Sequence, residues 1–160
     1  AFGASVKSAP KVGDAVPVFS GKDQDGKPWK LKPLLGKKIV LIYFYPKDDT
    51  PGCTKQACGL RDGMAEFADQ NVAVAGVSFD SAASHRSFRK KHRLNFPLLA
   101  DEDGRIADLF QVRQGTGKNI ARRVSFLVGK DGKIAHITDT PSADVHLTEI
   151  REALKRLAGN

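Results

Sequence analysis

Cysteine is nearly absent from this chain: two residues in 160, accompanied by one methionine, one tryptophan and two tyrosines. So sparse a set excludes a disulfide-stapled scaffold. With no Cys-x-x-Cys and no paired His/Cys cluster, it also argues against a metal site. No apolar run approaches the roughly 18 residues needed to cross a bilayer, and the run 39–45 has only the length of a strand. Repeats, low-complexity tracts and a second compositional block are missing too. The reading is therefore one domain over 1–160, long enough to bury a core, with 1–14 a small, polar, loosely ordered arm. Acidic residues are in deficit, 18 against 26 Lys and Arg, for a net charge of +8. The basic residues are spread out except for Arg86, Arg89, Lys90, Lys91, His92 and Arg93, and no aromatic ladder accompanies them. They read as a solvated helix face that can steer acidic protein partners, not as a nucleic-acid or membrane surface. The opening Ala1-Phe2-Gly3-Ala4-Ser5 lacks an initiator Met. A cytoplasmic chain and a processed exported, periplasmic or organellar one both fit it.

What is present is a regular alternation of elements. Val16-Pro17-Val18-Phe19, an Asp25-Gly26 turn and Trp29-Lys30-Leu31 predict an N-terminal β-hairpin, and 33–36 a turn or one helical turn. The continuous apolar stretch 38–45 predicts a central strand buried on both faces. Ala57, Leu60, Met64, Phe67 and Ala68 recur at helical spacing and predict a helix over 53–70. A strand follows over 71–79, then a helix capped by Asp80 and Ser81 and running to about Arg93. A short extended piece at 96–99 and a short helix at 103–110 come next. A second hairpin, 124–128 and 134–137, turns at Asp131-Gly132; Leu147, Ile150, Leu154 and Leu157 mark a last helix ending before Gly159. Strands alternating with helices, then a hairpin and a helix, give an α/β fold with a mixed central sheet flanked by helices.

Both cysteines lie in Thr50-Pro51-Gly52-Cys53-Thr54-Lys55-Gln56-Ala57-Cys58, between the central strand and a helix. Cys53 is thus delivered to the first turn of a helix, where free N–H groups and the positive dipole end favour an anion such as a thiolate. Gly52 permits close backbone approach and Pro51 stiffens the turn. This placement favours redox chemistry over the small buried hydrophobe that free cysteine often is. His85, His92, His136 and His146 are scattered and read as structural or solvent-facing, which argues against a Cys–His protease dyad. Trp29 reads as hairpin packing, and Asp48-Asp49 as loop solvation.

The segment Pro46-Lys47-Asp48-Asp49-Thr50-Pro51-Gly52-Cys53 resembles the peroxiredoxin signature Pro-x-x-x-Thr-x-x-Cys. The second cysteine five residues on is similar to the peroxiredoxin Q, or bacterioferritin comigratory protein, subfamily. The likeness runs from about Val12 onward and includes Phe44-Tyr45-Pro46, Asp80-Ser81 with Ser84-His85, and Arg123-Val124-Ser125-Phe126-Leu127. It implies a thioredoxin-like fold and a thiol peroxidase acting on hydrogen peroxide and organic hydroperoxides. It further implies a peroxidatic Cys53, a resolving Cys58, and Pro46, Thr50 and Arg123 completing the site. Recycling by thioredoxin, or else glutaredoxin, a monomeric chain, and no metal or organic cofactor belong to the same expectation. Gln56, where the family often has Glu, Gly59-Leu60 after the second cysteine, and a shorter 111–121 segment depart from its pattern.

The chemistry asks for these groups. An ordinary thiol of pKa about 8.5 is only about 3% thiolate at neutral pH, and a helix N-terminus supplies about 0.3–2 kcal/mol of stabilisation. A nearby cation must add to it, which is the role expected of Arg123; its neighbour Arg122 points to the opposite side of a regular strand. Thr50 Oγ can accept from the peroxide O–H while Arg123 stabilises charge developing on oxygen. Residues five apart on an ideal helix have Cα atoms about 8.6 Å apart, whereas a disulfide wants roughly 4.4–6.8 Å. Forming a Cys53–Cys58 bond therefore requires that helix to unwind, and Gly59 eases this. Two rivals remain: a general thiol–disulfide oxidoreductase, whose usual Cys-x-x-Cys spacing is absent here, and a non-enzymatic redox sensor or holdase.

Overall fold

The central strand of the sequence reading is observed as β3, Ile39–Phe44, with all six residues buried. The computed structural model describes residues 8–158 of the chain. β3 lies between the parallel β4, Val72–Ser78, and the antiparallel β6, Val124–Val128. Outward from β4 come β5, Leu98–Ala100, then β1, Ser20–Lys22, and β2, Pro28–Lys30. β7, Ile134–Asp139, closes the other edge, so the mixed sheet has seven strands in the order β2-β1-β5-β4-β3-β6-β7.

Because side chains alternate along a strand, β3 feeds two cores. Val40, Ile42 and Phe44 join Phe19, Ile106, Phe110 and Phe126 on one face. That face is covered by α3, Arg105–Phe110, and by the chain leading to β1. Ile39, Leu41, Tyr43 and, just past the strand, Tyr45 point the other way. They meet α1, Pro51–Asp69, α2, Ala82–Lys91, and α4, Ala143–Ala158, through Ala57, Leu60, Phe88, Ile150 and Leu154. Cys53 belongs to this second core.

The expected element order is present, with shifts that have physical reasons. The first hairpin strand begins at Ser20 and not at Val16, because 13–16 bonds elsewhere. Gly13 N–H donates to Ile134 O and Val16 N–H to Gly132 O, fastening this stretch to the β6–β7 hairpin. Lys11 and Asp14, assigned to the arm, close a turn there (Lys11 N–H to Asp14 Oδ2, 2.9 Å). β5 starts after Pro97, which has no N–H and contributes only a carbonyl, to Gly76 N–H. α1 begins at Pro51, where a fixed φ and a missing N–H suit the first helical position. Trp29 packs on Phe19 at 5.6 Å between ring centroids, as expected of the hairpin. Residues 1–7 of the expected arm and the helix stop at Gly159 lie outside the described residues.

Candidate active site

β3 ends at Phe44 and α1 begins at Pro51, so the loop 46–50 crosses the end of the sheet and drops Cys53 into the first turn of α1. Thr50 is the N-cap with an extended backbone, φ −94° and ψ 157°, but its hydroxyl does not cap the helix. It donates instead to Lys47 O at 2.9 Å, which leaves its lone pairs free to accept. The first intrahelical bond runs from Thr54 N–H to Thr50 O. The N–H groups of Gly52 and Cys53 lie ahead of that bond, among the free donors of the first turn. A thiolate or a bound oxygen at this point faces them and the positive end of α1.

Arg123 precedes β6 and reaches across to the cysteine. All three of its nitrogens are engaged: Nε donates to Pro141 O at 2.9 Å, Nη1 to Gln56 Oε1 at 2.7 Å, and Nη2 meets Cys53 Sγ at 3.4 Å. Cys53 is 1% exposed and Arg123 9%, so water screens their attraction little. Gly52 makes the approach possible, since a Cβ there would lie 2.9 Å from Arg123 Nη2. Arg122 turns away, bonding Asp139 at 3.1 Å at the surface. Pro46, Arg122, Arg123, Gln114, Thr140 and Pro141 help line an open cleft of about 380 Å³. Its size suits a small ligand.

The structure thus brings Cys53 and Arg123 into contact and sets Thr50 and Pro46 on the adjoining loop and cleft. It does not bring Cys58 to Cys53. Both thiols are free, and Cys58, half-buried, sits a turn and a half along the same continuous helix.

Several residues escaped sequence reasoning. Gln56 is 1% exposed and supplies a neutral partner to Arg123, so no carboxylate competes with the sulfur for that guanidinium among the described residues. Pro141 contributes a backbone carbonyl, which no side-chain pattern reveals. That turn is held by His146, whose Nε2 donates to Thr140 O at 2.8 Å while Nδ1 lies 2.7 Å from Ser125 Oγ. Burial first, and the Arg123 guanidinium as well, hold His146 below its ordinary pKa of 6.5. Asp48 is not a solvated loop residue as expected but buried at 8% exposure, bonded to Tyr45, Ser84 and His85. A signal for it existed: His85 shares one face of α2 with Phe88, and a histidine on an apolar face must find polar partners.

Asp48, Asp80 and His85 are also, among the described residues, a grouping close enough to hold a cation. Their atoms are already engaged. Asp48 Oδ2 takes Ser84 Oγ and His85 Nδ1, and Asp80 Oδ2 takes Asp48 N–H and Ser78 Oγ.

Comparison with known proteins bears on this geometry. Residues 12–137 match the AhpC/TSA family. Peroxiredoxin Bcp of Escherichia coli K12 is 43% identical over 153 residues, covering 92% of this chain and 97% of that protein. The crystal structure of peroxidoxin BcpB from Mycobacterium tuberculosis superposes with a TM-score of 0.86 at 35% identity, over 92% of this chain and 98% of that one. A bacterioferritin comigratory protein of Xanthomonas campestris, studied for its alkyl peroxide reduction activity, gives a TM-score of 0.78 at 29% identity over 86% and 90% of the two chains.

Proposed function

Since the chain belongs to the AhpC/TSA family and is a thiol-dependent peroxidase of the Bcp/peroxiredoxin Q kind with a thioredoxin-like fold, we propose that Cys53 is its peroxidatic cysteine and Cys58 its resolving cysteine. The observation that carries this is Arg123 Nη2 standing 3.4 Å from a buried sulfur in the first turn of α1. The Cys53 thiolate attacks one oxygen of a hydroperoxide and the O–O bond breaks. The other oxygen leaves with the electron pair and takes a proton, giving water or an alcohol and a Cys53 sulfenic acid. Arg123 stabilises the charge gathering on the departing oxygen, and Thr50 Oγ, its own proton given to Lys47 O, accepts from the peroxide O–H. Pro46 lines the cleft that Arg123 also borders.

The Cys58 thiol then condenses with the sulfenic acid, releasing water and forming an intramolecular disulfide. A dithiol protein reductant, thioredoxin by preference or glutaredoxin, returns both cysteines to thiols. Hydrogen peroxide and small organic hydroperoxides are the substrates of this reading, the chain acts as a monomer, and it forms a single thioredoxin-like domain.

Cys53→Ser is expected to abolish peroxide consumption with a thioredoxin system. Cys58→Ser should complete one rapid turnover and then stall as a sulfenic acid that dimedone traps. Equal loss of the first turnover in both variants overturns the assignment.

A further inference from the structure

The loop 46–50 carries Pro46 and Thr50, and contacts from outside it add to the internal Thr50 Oγ–Lys47 O bond in fixing its shape. It contains a left-handed residue that is not glycine, Asp49 at φ 58°, a conformation that surrounding contacts must maintain. Those contacts come from the β4–α2 side. Asp48 N–H donates to Asp80 Oδ2 at 2.9 Å, and Asp49 binds Lys91 Nζ at 2.7 Å and His92 Nε2 at 3.2 Å. The deepest contact is the Asp48 carboxylate. Its Oδ1 accepts from Tyr45 Oη at 2.6 Å, and its Oδ2 lies 2.8 Å from Ser84 Oγ and 2.7 Å from His85 Nδ1.

His85 is itself anchored, because its Nε2 faces the Leu99 carbonyl of β5 at 2.9 Å. A carbonyl only accepts, so Nε2 carries a proton, and a second proton is shared between Nδ1 and Asp48 Oδ2. The two side chains are 0% and 4% exposed. Removing one member of such a buried pair strands the other, while a fully bonded pair holds one geometry.

We propose that the buried Asp48–His85 pair is a positioning device for peroxide attack: braced on β5 through His85, it fixes the loop so that Pro46 and Thr50 stand in register with Cys53. The inference rests on the assignment of Cys53 as the attacking group and adds residues that touch neither the sulfur nor the peroxide. Reaction rate is sensitive to such register, since displacement of about 1 Å can slow a reaction by about two orders of magnitude. The pair serves attack and not resolution, because α1 beyond Thr50 is what moves when Cys58 closes on Cys53.

The test compares Asp48→Ala and Asp48→Asn with the wild-type chain for three quantities: the rate of sulfenic-acid formation, thiolate absorbance at pH 7, and the rate of disulfide closure. Asp48→Ala is expected to slow attack by about tenfold or more with thiolate absorbance and closure unchanged. Asp48→Asn, which keeps an acceptor for Tyr45 and a polar partner for His85, should recover most of that loss. If Asp48→Ala does not fold, Ser84→Ala removes a single donor and should slow attack about threefold. Attack at the wild-type rate in the folded variant overturns the proposal, as does a loss fully explained by reduced thiolate. Failure of the Cys53 assignment is read separately, as turnover persisting in Cys53→Ser.

Discussion

Arg123 makes three bonds, two of them to neutral oxygen acceptors and the third to the Cys53 sulfur. Pro141 O and Gln56 Oε1 orient the guanidinium, and the sulfur receives its electrostatic benefit. Arg123→Ala is therefore expected to lower the thiolate absorbance at neutral pH. It should also slow peroxide attack by about 100-fold or more, beyond what lost thiolate explains, because the charge on the leaving oxygen goes unstabilised. Arg122→Ala removes a surface pair with Asp139, worth at most about 1 kcal/mol. It should change neither quantity to a degree comparable with Arg123→Ala, because Arg122 does not meet the sulfur. An unaltered thiolate titration in Arg123→Ala would count decisively against this role. Gly52 allows a test in which activity and stability move in opposite directions. A methyl group there gains helix propensity, up to about 1 kcal/mol, but comes within 2.9 Å of Arg123 Nη2. Gly52→Ala should thus melt at or above the wild-type temperature while attacking peroxide at least about tenfold more slowly. A variant as active as wild type would mean that the guanidinium has room to retreat without loss.

At the scale of elements, α1 carries both cysteines, so on the proposed mechanism it is the part that must come apart for their disulfide to form. Cys53 and Cys58 lie on one unbroken helix, Pro51–Asp69, where their ideal Cα spacing of about 8.6 Å exceeds disulfide reach, roughly 4.4–6.8 Å. Two neighbours set the limits of the opening. The loop 46–50 is fastened to α2 by Asp48 and Asp49, so unwinding starts beyond Thr50. α4 holds the first turns of α1 through Lys55–Asp144 at 2.9 Å and through Leu147 against Gly59. Gly59 proves to be more than a weak point in the helix. A methyl group there would come within 2.5 Å of Leu147 Cδ1, so Gly59→Ala would wedge α1 from α4 as well as stiffen α1. Leu147→Ala is the cleaner probe, since it uncovers the helix without altering its backbone. It is expected to speed disulfide closure several-fold and so shorten the dimedone-reactive lifetime of the sulfenic acid and reduce overoxidation. Hydrogen exchange should quicken over 53–61 when the wild-type disulfide forms, while Ile39–Phe44 stays protected. Exchange that is unchanged on oxidation would exclude this unwinding.

For the molecule as a whole, what could be read from the sequence was local. The unbroken apolar run made β3 a buried strand, helical spacing located α1, and the motif from Pro46 to Cys53 singled out the cysteine that the fold sets beside Arg123. Partnerships between distant residues could not be read. Asp48 meets His85 across 37 positions, and Arg123 meets Pro141 across 18, because strand order and not spacing decides those meetings. His146 shows how such a partner ties the whole molecule to pH. It joins α4 to β6 through Ser125 and to the turn whose Pro141 carbonyl orients Arg123. Burial above all, with the nearby guanidinium, holds its folded pKa below the ordinary 6.5, so the unfolded chain takes up this proton first. Its contribution to stability is complete above about pH 6.5 and drains as pH falls from there through the lower folded value. Glu149 acts in the same direction further down. Hydrogen bonds from His136, first, and Thr138 hold its carboxyl below 4.5, and its contribution is lost as pH falls through that lowered value. Asp101 opposes both, because burial raises its carboxyl above 3.8 and acidification relieves that strain. Glu149 acts only below pH 4.5, so of the two groups that lose stability on acidification His146 is the one that acts above it. The melting temperature of the wild type should fall between pH 7 and 5, and His146→Gln, with no proton to bind, should flatten the curve there while keeping the decline below pH 4.5. Parallel curves for the two proteins between pH 7 and 5 would remove His146 as the cause.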